Sequence, residues 1–427
     1  MFKKYDAYKD SGVDWIGSIP THWNVLKLGS IFEQRNEKVS DQDYPALSVT
    51  KNGIVPQLDN AAKTKDGDNR KLVLEGDFVI NSRSDRKGSS GLSSLDGSVS
   101  LINIVLKPRK IEPKFSHHLM KCNAFIEEYY RVGRGIVADL WTTRFEEMKT
   151  MNLALPNIEE QRKITEFLDQ KTSEIDQAIA IKQQQIALLN ELRQIVIQKA
   201  MTQGLDPNVP MKDSGVEWIG AIPEHWQIKK IKHVAGDFMY GTSVECNTLS
   251  SGTPVLRIPN IDELYVNFDD LKFTQLSKSE TENYSLKQND ILVIRTNGNP
   301  ELVGKSALIR NLDREFLFAS YLIRVKPKKL INPEFLICIM NSSLVRKALT
   351  NGARTSVGNY NLNTQTLGNC FLTLPPLEEQ LQILNFIRSE SQKFDDLINI
   401  NAIQIKKLKE YKTTLISDAV TGKIKVA

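Results

Sequence analysis

Two stretches of the chain carry apolar residues at alternating spacings of four and three. The first runs Ile175, Ile179, Lys182, Ile186, Leu189, Arg193, Val196, Ala200. The second runs Phe394, Ile398, Asn401, Ile405, Leu408, Lys412, Leu415, Ala419. At 3.6 residues per turn this spacing places the residues on one narrow helix face, the kind of seam along which two helices pair. Both stretches are rich in Glu, Gln, Lys, Leu, Ile and Ala and lack internal Pro and Gly, so two long helices are predicted. The first ends near Gly204, with Pro207 and Pro210 beyond, and the second near Gly422. Adding 219 to each position of the first seam gives the second, and the polar interruptions coincide: Lys182 with Asn401, Arg193 with Lys412. Polar groups in a seam cost stability but fix register and partner. The coincidence favours pairing of the two helices with each other over packing of each on a separate domain.

Between and before these helices the pattern shortens to strands. Candidates are Asp77-Phe78-Val79-Ile80 and Asp290-Ile291-Leu292-Val293-Ile294, then Leu101-Ile102-Asn103-Ile104-Val105-Leu106 and Tyr321-Leu322-Ile323-Arg324-Val325. The last two are followed by Lys107-Pro108 and Lys326-Pro327, and a helix is expected to start near Pro113 or Pro333. Two mixed bodies, roughly 25–150 and 228–370, therefore read as one fold used twice with different loops.

The repetition is also literal. Residues 9–28 read KDSGVDWIGSIPTHWNVLKL and residues 212–231 read KDSGVEWIGAIPEHWQIKKI, a shift of 203. Downstream, Leu155-Pro156-Asn157-Ile158-Glu159-Glu160-Gln161 matches Leu374-Pro375-Pro376-Leu377-Glu378-Glu379-Gln380, a shift of 219. Related modules with different loops suit two different targets. A helix of about 30 residues spans about 45 Å, more than one turn of B-DNA at about 34–36 Å. If a pseudo-two-fold axis relates the modules, such a spacer suits a target in two halves.

Composition narrows the class. The 427 residues exceed a comfortable single domain, and no apolar run approaches the roughly 20 residues of a membrane span. The start, Met1-Phe2-Lys3-Lys4-Tyr5-Asp6, lacks a signal-peptide core. Cys122, Cys246, Cys338 and Cys370 show no metal-ligand spacing and read as free thiols of a reducing cytoplasm. The net charge of +5 permits a polyanionic partner without demanding one.

DSGVxWIGxIPxHW at the head of each half, LPxxEEQ before each long helix and the tandem order together resemble the type I restriction specificity subunit, over essentially the whole chain. The resemblance implies an α+β fold with two similar target recognition domains separated by two long conserved helices that form an antiparallel coiled coil. The expected boundaries are 1–155 for the first domain, 156–204 for the first spacer helix, 205–373 for the second domain and 374–427 for the second helix. It implies that each domain reads one part of a bipartite, asymmetric double-stranded DNA site. Two modification subunits would methylate adenine with S-adenosylmethionine, and two ATP- and Mg2+-dependent restriction subunits would complete the complex. No cofactor, metal or catalytic residue is expected on this chain. A stand-alone DNA-binding scaffold or regulator and a fused restriction-methylation enzyme are the alternatives.

Three near-motifs argue against chemistry on the chain itself. Gly298 to Ser306 nearly spells GxxxxGK[ST], but the required Gly is Asn299. Asn332-Pro333-Glu334-Phe335 approaches a methyltransferase motif but carries Glu334 for the second Pro, and its counterpart Glu112-Pro113-Lys114-Phe115 suggests a helix start. Gly133-Arg134-Gly135-Ile136-Val137-Ala138 fits GxGxxA but follows a helix-like segment. His22 and His225 belong to the repeated head motif and read as structural.

Base edges are read mainly by Arg, Lys, Asn and Gln, and phosphates by Lys, Arg, Ser and Thr. The loops after the two equivalent strands are the first choice: Asn81, Arg83, Arg86 and Lys87 in one copy, Arg295, Asn297 and Asn299 with Lys305 beyond in the other. Arg134, and Arg354 with Asn359, mark a second candidate segment in each copy.

Overall fold

The computed structural model describes residues 2–58, 67–134, 142–249, 251–356 and 358–426. The chain divides into two compact units, Met1–Gln184 with Asn401–Ala427, and Gln185–Ile400. Each is built on a four-stranded antiparallel sheet. In the first unit the order is Ser90–Leu92, Phe78–Asn81, Asn103–Pro108, Phe32–Arg35. In the second it is Ser306–Leu308, Ile291–Ile294, Leu322–Pro327, Ala235–Tyr240. The two central strands are buried on both faces. Phe78 and Ile80 enter one core while Val79 enters another. Ile291 and Val293 likewise part from Leu292 and Ile294. This is the period-two alternation of a strand between two apolar layers.

The strand expected over 101–106 starts at Asn103. Leu101 and Ile102 belong to the turn before it, closed by Asn103 N–H donating to Ser100 O at 3.0 Å. Tyr321 is left outside its strand in the same way, with Leu322 N–H donating to Ala319 O at 2.9 Å. Apolarity alone does not separate a turn residue from a strand residue. Pro113 and Pro333 open the helices Pro113–Lys121 and Pro333–Met340 at the first helical position. Glu112 Oε2 accepts from Phe115 N–H at 2.6 Å, and Asn332 Oδ1 from Glu334 N–H at 2.8 Å. That is side-chain capping of a helix start, and it accounts for the Asn-Pro-Glu-Phe motif.

The head motif and LPxxEEQ recur together because they bond to each other. In the first unit Glu160 accepts from Tyr5 Oη at 2.8 Å and Trp23 Nε1 at 3.2 Å, and its other oxygen meets His22 Nε2 at 2.9 Å. In the second, Glu379 meets His225 Nε2 at 2.8 Å. Buried Gln161 donates to Pro156 O and accepts from Glu112 N–H, both at 2.9 Å. Buried Gln380 does the same with Pro375 O at 2.8 Å and Asn332 N–H at 2.7 Å. Each glutamine thus fastens the start of a long helix to the helix that follows the sheet.

The long helices run Ile158–Gln203 and Leu377–Val420. Parts of both lie in each unit and pair antiparallel there. In the first unit Asp176 holds Lys412 Nζ at 2.7 Å, while Gly422 packs on Trp23, the partner of Glu160. Moving down one helix thus moves up the other. In the second unit Arg193 Nη1 donates to Asp395 at 2.9 Å, and Gly204 packs against Glu379 and Trp226. Adding 219 to Asp176 and to Arg193 gives Asp395 and Lys412, so the two ion pairs are one interaction made twice. Along the seam Ile175, Phe394 and Leu415 are buried, and Ile179, Ile186, Leu189, Val196, Ile398, Ile405 and Leu408 are half-buried. Gly204 and Gly422 follow the helices at φ +75° and +71°, a conformation glycine reaches without strain.

Candidate DNA interface

Each candidate loop leaves the end of a buried strand that a carboxylate anchors at its start. Asp77 accepts from Arg35 Nε at 2.7 Å and from Leu74 N–H at 2.9 Å. Asp290 accepts from Lys287 N–H at 2.9 Å, and burial pushes its carboxyl above the ordinary aspartate range. Past the first strand, Ser84–Arg86 forms a short 3-10 turn that exposes Arg83, Arg86 and Lys87. Lys121 lies beneath, donating to Lys51 O at 2.7 Å and Gly88 O at 3.0 Å. Burial pushes its ammonium below the usual lysine range, as expected of an internal brace.

The structure brings together the two candidate segments of each copy. In the first unit Arg83 and Arg134 both bridge to Thr142 in antiparallel fashion. In the second, Thr296–Asn297 and Arg354–Ser356 both pair with Asn359–Asn361, so Thr296 and Arg354 share Asn361. A shift of 219 carries Thr142 to Asn361. The same three-way junction therefore stands at the mouth of each sheet, with exposed donors around it.

Not every cation there is available to a ligand. Buried Arg70 donates to Ser98 Oγ at 2.8 Å, and buried Arg324 donates to Asp237 at 2.9 Å and Ser285 O at 2.9 Å. Both are scaffold. Arg86 has Asp85 at 3.6 Å, Lys87 has Glu127 at 2.6 Å and Arg134 has Glu147 at 3.8 Å. These are exposed pairs, worth roughly 0–1 kcal/mol, which a phosphate can displace. The Arg295 guanidinium lies 4.3 Å from the Tyr240 ring centre, and its Nη1 donates to Ser320 O at 3.4 Å. That face-on contact orients the fork. Arg354 and Asn359 are exposed.

Four candidates are placed or bonded differently from the exposed loop cations. Asn81 is buried and its Oδ1 accepts from Arg83 N–H at 3.1 Å, shaping the loop from within. Asn297 and Asn299 accept from Asn299 N–H at 2.8 Å and Glu301 N–H at 2.9 Å, which turns the second loop. Lys305 lines a cavity of about 530 Å³ with Arg193, Arg346 and Asp395. Gly304 and Lys305 lead into the strand Ser306–Leu308, not a helix, so the phosphate-cradle reading has no structural counterpart. Gly135 to Ala138 and Val357 lie outside the described residues.

Sequence reasoning passed over a cleft of about 330 Å³ beside Arg83, lined by Lys71, Asn103, Thr142 and Arg144 among others. Lys71 Nζ donates to Asn103 O at 2.8 Å, and burial lowers its pKa. Asn103 Oδ1 is buried without a hydrogen-bond partner among the described residues. The 219 shift, applied beyond LPxxEEQ, would have paired Thr142 with Asn361.

With this geometry in view, known proteins fall into line with it. The profile of the type I restriction modification DNA specificity domain matches residues 20–191 and again 223–410. The chain belongs to this family. It is 27% identical over 284 residues to the EcoKI specificity subunit of Escherichia coli K12, covering 66% of this chain and 59% of that one. It is 24% identical to the MjaVIII specificity subunit of Methanocaldococcus jannaschii, over 96% of this chain and 94% of that one. The match spans under two thirds of the Escherichia coli relative and of the Salmonella potsdam StySPI subunit. Among solved structures, the HsdS subunit of Thermoanaerobacter tengcongensis aligns with a TM-score of 0.55 at 17% identity, over 95% of this chain and 98% of that one. A chain from a structure of a type I R-M system aligns with a TM-score of 0.67, also at 17% identity, over 94% and 98%. The fold is thus α+β, with two similar domains of the specificity family and two long helices that pair antiparallel.

Proposed function

We propose that this chain is the DNA-reading subunit of a type I restriction-modification complex, each copy of the repeat reading one half of a bipartite site. One observation carries the reading. The same junction of three segments stands in both copies, ringed by exposed hydrogen-bond donors, while the residues that fill it differ. A constant frame with different donors is what two different half-sites require. Arg83, Arg86, Lys87 and Arg134 are the contacts in one half, and Arg295, Asn297, Asn299, Arg354 and Asn359 in the other. Asn81 supports the first loop. Lys305 is the weakest member of the set, because its cavity is shared with Arg193 and Asp395 of the long helices.

Methyl transfer, ATP hydrolysis and cleavage belong to two modification and two restriction subunits, which bring S-adenosylmethionine, ATP and Mg2+. Within the second unit Leu188, Leu192 and Ile195 keep an exposed four-and-three apolar spacing on the first long helix, and Leu397 and Ile400 are exposed on the second. Faces of that kind suit the helices of a partner subunit. No helix among the described residues is long and apolar enough to cross a membrane. The DNA-reading role proposed here would be carried out in the cytoplasm.

The test is selection from a random duplex library by the full chain. Arg83, Arg86 and Arg134 changed together to Ala should relax one half of the selected site and leave the other intact. Arg295, Asn297 and Arg354 should do the converse. Each base-reading Arg should cost about 1–3 kcal/mol at its own base pair. Wild-type selectivity in both variants would remove the assignment.

A further inference from the structure

We propose that Tyr321, and in the first copy Ile102, make apolar contact with a base of the DNA and help determine sequence choice. This rests on the DNA-reading role above and adds a residue class that a search for donors does not find. Both side chains stand in the turn before the last strand of the sheet, at positions related by the 219 shift. Tyr321 is 59% exposed; Ile102 is 37% exposed and its neighbour Leu101 39%. Scattered exposed apolar side chains are ordinary on a protein surface. Three features set these apart.

The first is that the turn is bonded to the start of the recognition loop in both copies. Arg295 N–H donates to Tyr321 O at 2.8 Å, and Ser82 Oγ donates to Ile102 O at 2.6 Å. The apolar side chain is therefore carried on backbone fixed against the loop that bears the donors. The second is what lies alongside. The Arg295 guanidinium, held on Tyr240, donates to Ser320 O next to Tyr321. Ile102 lines the cleft that also holds Arg83, Lys71 and Arg144. A cationic rim around an exposed apolar tip suits a nucleic acid, whose phosphates meet the rim while a base meets the tip. The third is that apolar character is kept in both copies although the side chain changes from Ile to Tyr. Bases offer apolar surface through their faces and through the thymine methyl, and side chains of both kinds use it.

The experiment compares the full chain with Tyr321→Ala and Tyr321→Phe, on duplexes selected from a random library by the wild-type chain. Loss of an apolar base contact should weaken Tyr321→Ala binding roughly five- to hundred-fold, by analogy with base–aromatic contacts in single strands. Tyr321→Phe should stay within about two-fold, because the hydroxyl is not the contact. The slope of log affinity against log salt should not change, since no cation has been removed. Base preference should relax in one half-site only, and Ile102→Ala should relax the other. Wild-type affinity and preference in Tyr321→Ala would overturn the inference and leave the DNA-reading role intact. Equal weakening on all sequences would also overturn it, by placing the contact on the backbone. A wild-type chain that enriches no sequence would sink both. Equal losses in Tyr321→Phe and Tyr321→Ala would assign the role to the hydroxyl and refute apolar contact.

Discussion

Glu160 shows how one residue can make two distant motifs recur together. It takes hydrogen bonds from Tyr5 and Trp23 and meets His22. Burial and the neighbouring carboxylate push the Tyr5 phenol well above its usual range, so it stays a donor. In the other copy Glu379 has His225, whereas buried Trp226 Nε1 has no hydrogen-bond partner among the described residues. The two glutamates should therefore differ in weight. Glu160→Ala strands two donors, each costing about 1–3 kcal/mol if it stays buried. Glu379→Ala loses an exposed contact worth roughly 0–1 kcal/mol. Urea melts followed by tryptophan emission should show the larger loss for Glu160→Ala, and equal losses would contradict this account.

Acid sensitivity is also a matter of single residues. His117 Nδ1 accepts from Leu92 N–H at 3.2 Å, which requires the unprotonated ring. Burial pushes its pKa down to about 4; His118 and Lys121 add to the effect and Asp169 opposes it. The unfolded chain takes up this proton near pH 6.5. Between about pH 6.5 and 4 the unfolded state binds more protons, so stability is full above 6.5 and falls as pH drops toward 4. Each unit of pKa difference is worth about 1.4 kcal/mol. Between pH 7.5 and 5 the amide of Leu92 should lose protection from hydrogen exchange, and His117→Asn should flatten that loss. A pH dependence identical in wild type and variant would rule His117 out as its source.

At the scale of elements, each long helix is matched to its own body by charge. Lys114 Nζ lies 3.1 Å from Asp169 in the first unit. At the equivalent place in the second unit the signs are reversed, with Glu334 holding Arg388 and Arg310. Asp169 also faces His118; partial burial works to raise its carboxyl, but hydrogen bonds from His118 and Lys114 leave it below the usual range. Opposite signs at equivalent positions penalise the wrong combination of helix and body, since Lys114 would meet Arg388 and Glu334 would meet Asp169. Asp169→Arg should lower the melting temperature, and adding Lys114→Glu should recover part of the loss. Exposed pairs of this kind are worth roughly 0–1 kcal/mol, so the recovery amounts to a few degrees at most. No recovery in the double variant would mean that the reversal has no energetic role.

The same scale shows what a sequence can disclose. The long helices were legible because a four-and-three apolar spacing sustained over about seven turns is a helix pattern, and because Lys182 and Arg193 recur as Asn401 and Lys412. The sheets were legible through Phe78–Asn81 and Ile291–Ile294, whose continuous apolar runs mark strands buried on both faces. The junction of Arg83, Thr142 and Arg134 was not legible. It depends on backbone bridges between segments far apart in the chain, and Thr142 has no chemistry of its own to draw notice. Nor do residue types separate Lys121, a half-buried brace, from Lys87, an exposed donor; only packing does.

At the scale of the whole molecule, both long helices pass through both units, and the register of each is tied to the other. Asp176 with Lys412 and Arg193 with Asp395 hold it in their respective units. We propose that the length of this helix pair sets the gap between the two half-sites. One heptad inserted after Leu189 alone leaves one helix longer than its partner, so the seam and the ion pairs cannot both be kept, and folding or pairing should fail. Matched heptads in both helices keep the four-and-three spacing and restore the pairing. Each adds about 10.5 Å of helix, or roughly three base pairs of B-DNA at about 3.4 Å each. On the proposed assignment the half-site sequences are read by loops that the insertion does not touch, so they should stay the same while the gap between them grows. Selection from a random duplex library by the folded double-insertion variant measures both at once. Recovery of the original gap by a variant that still selects both half-sites would show that something other than helix length fixes the spacing.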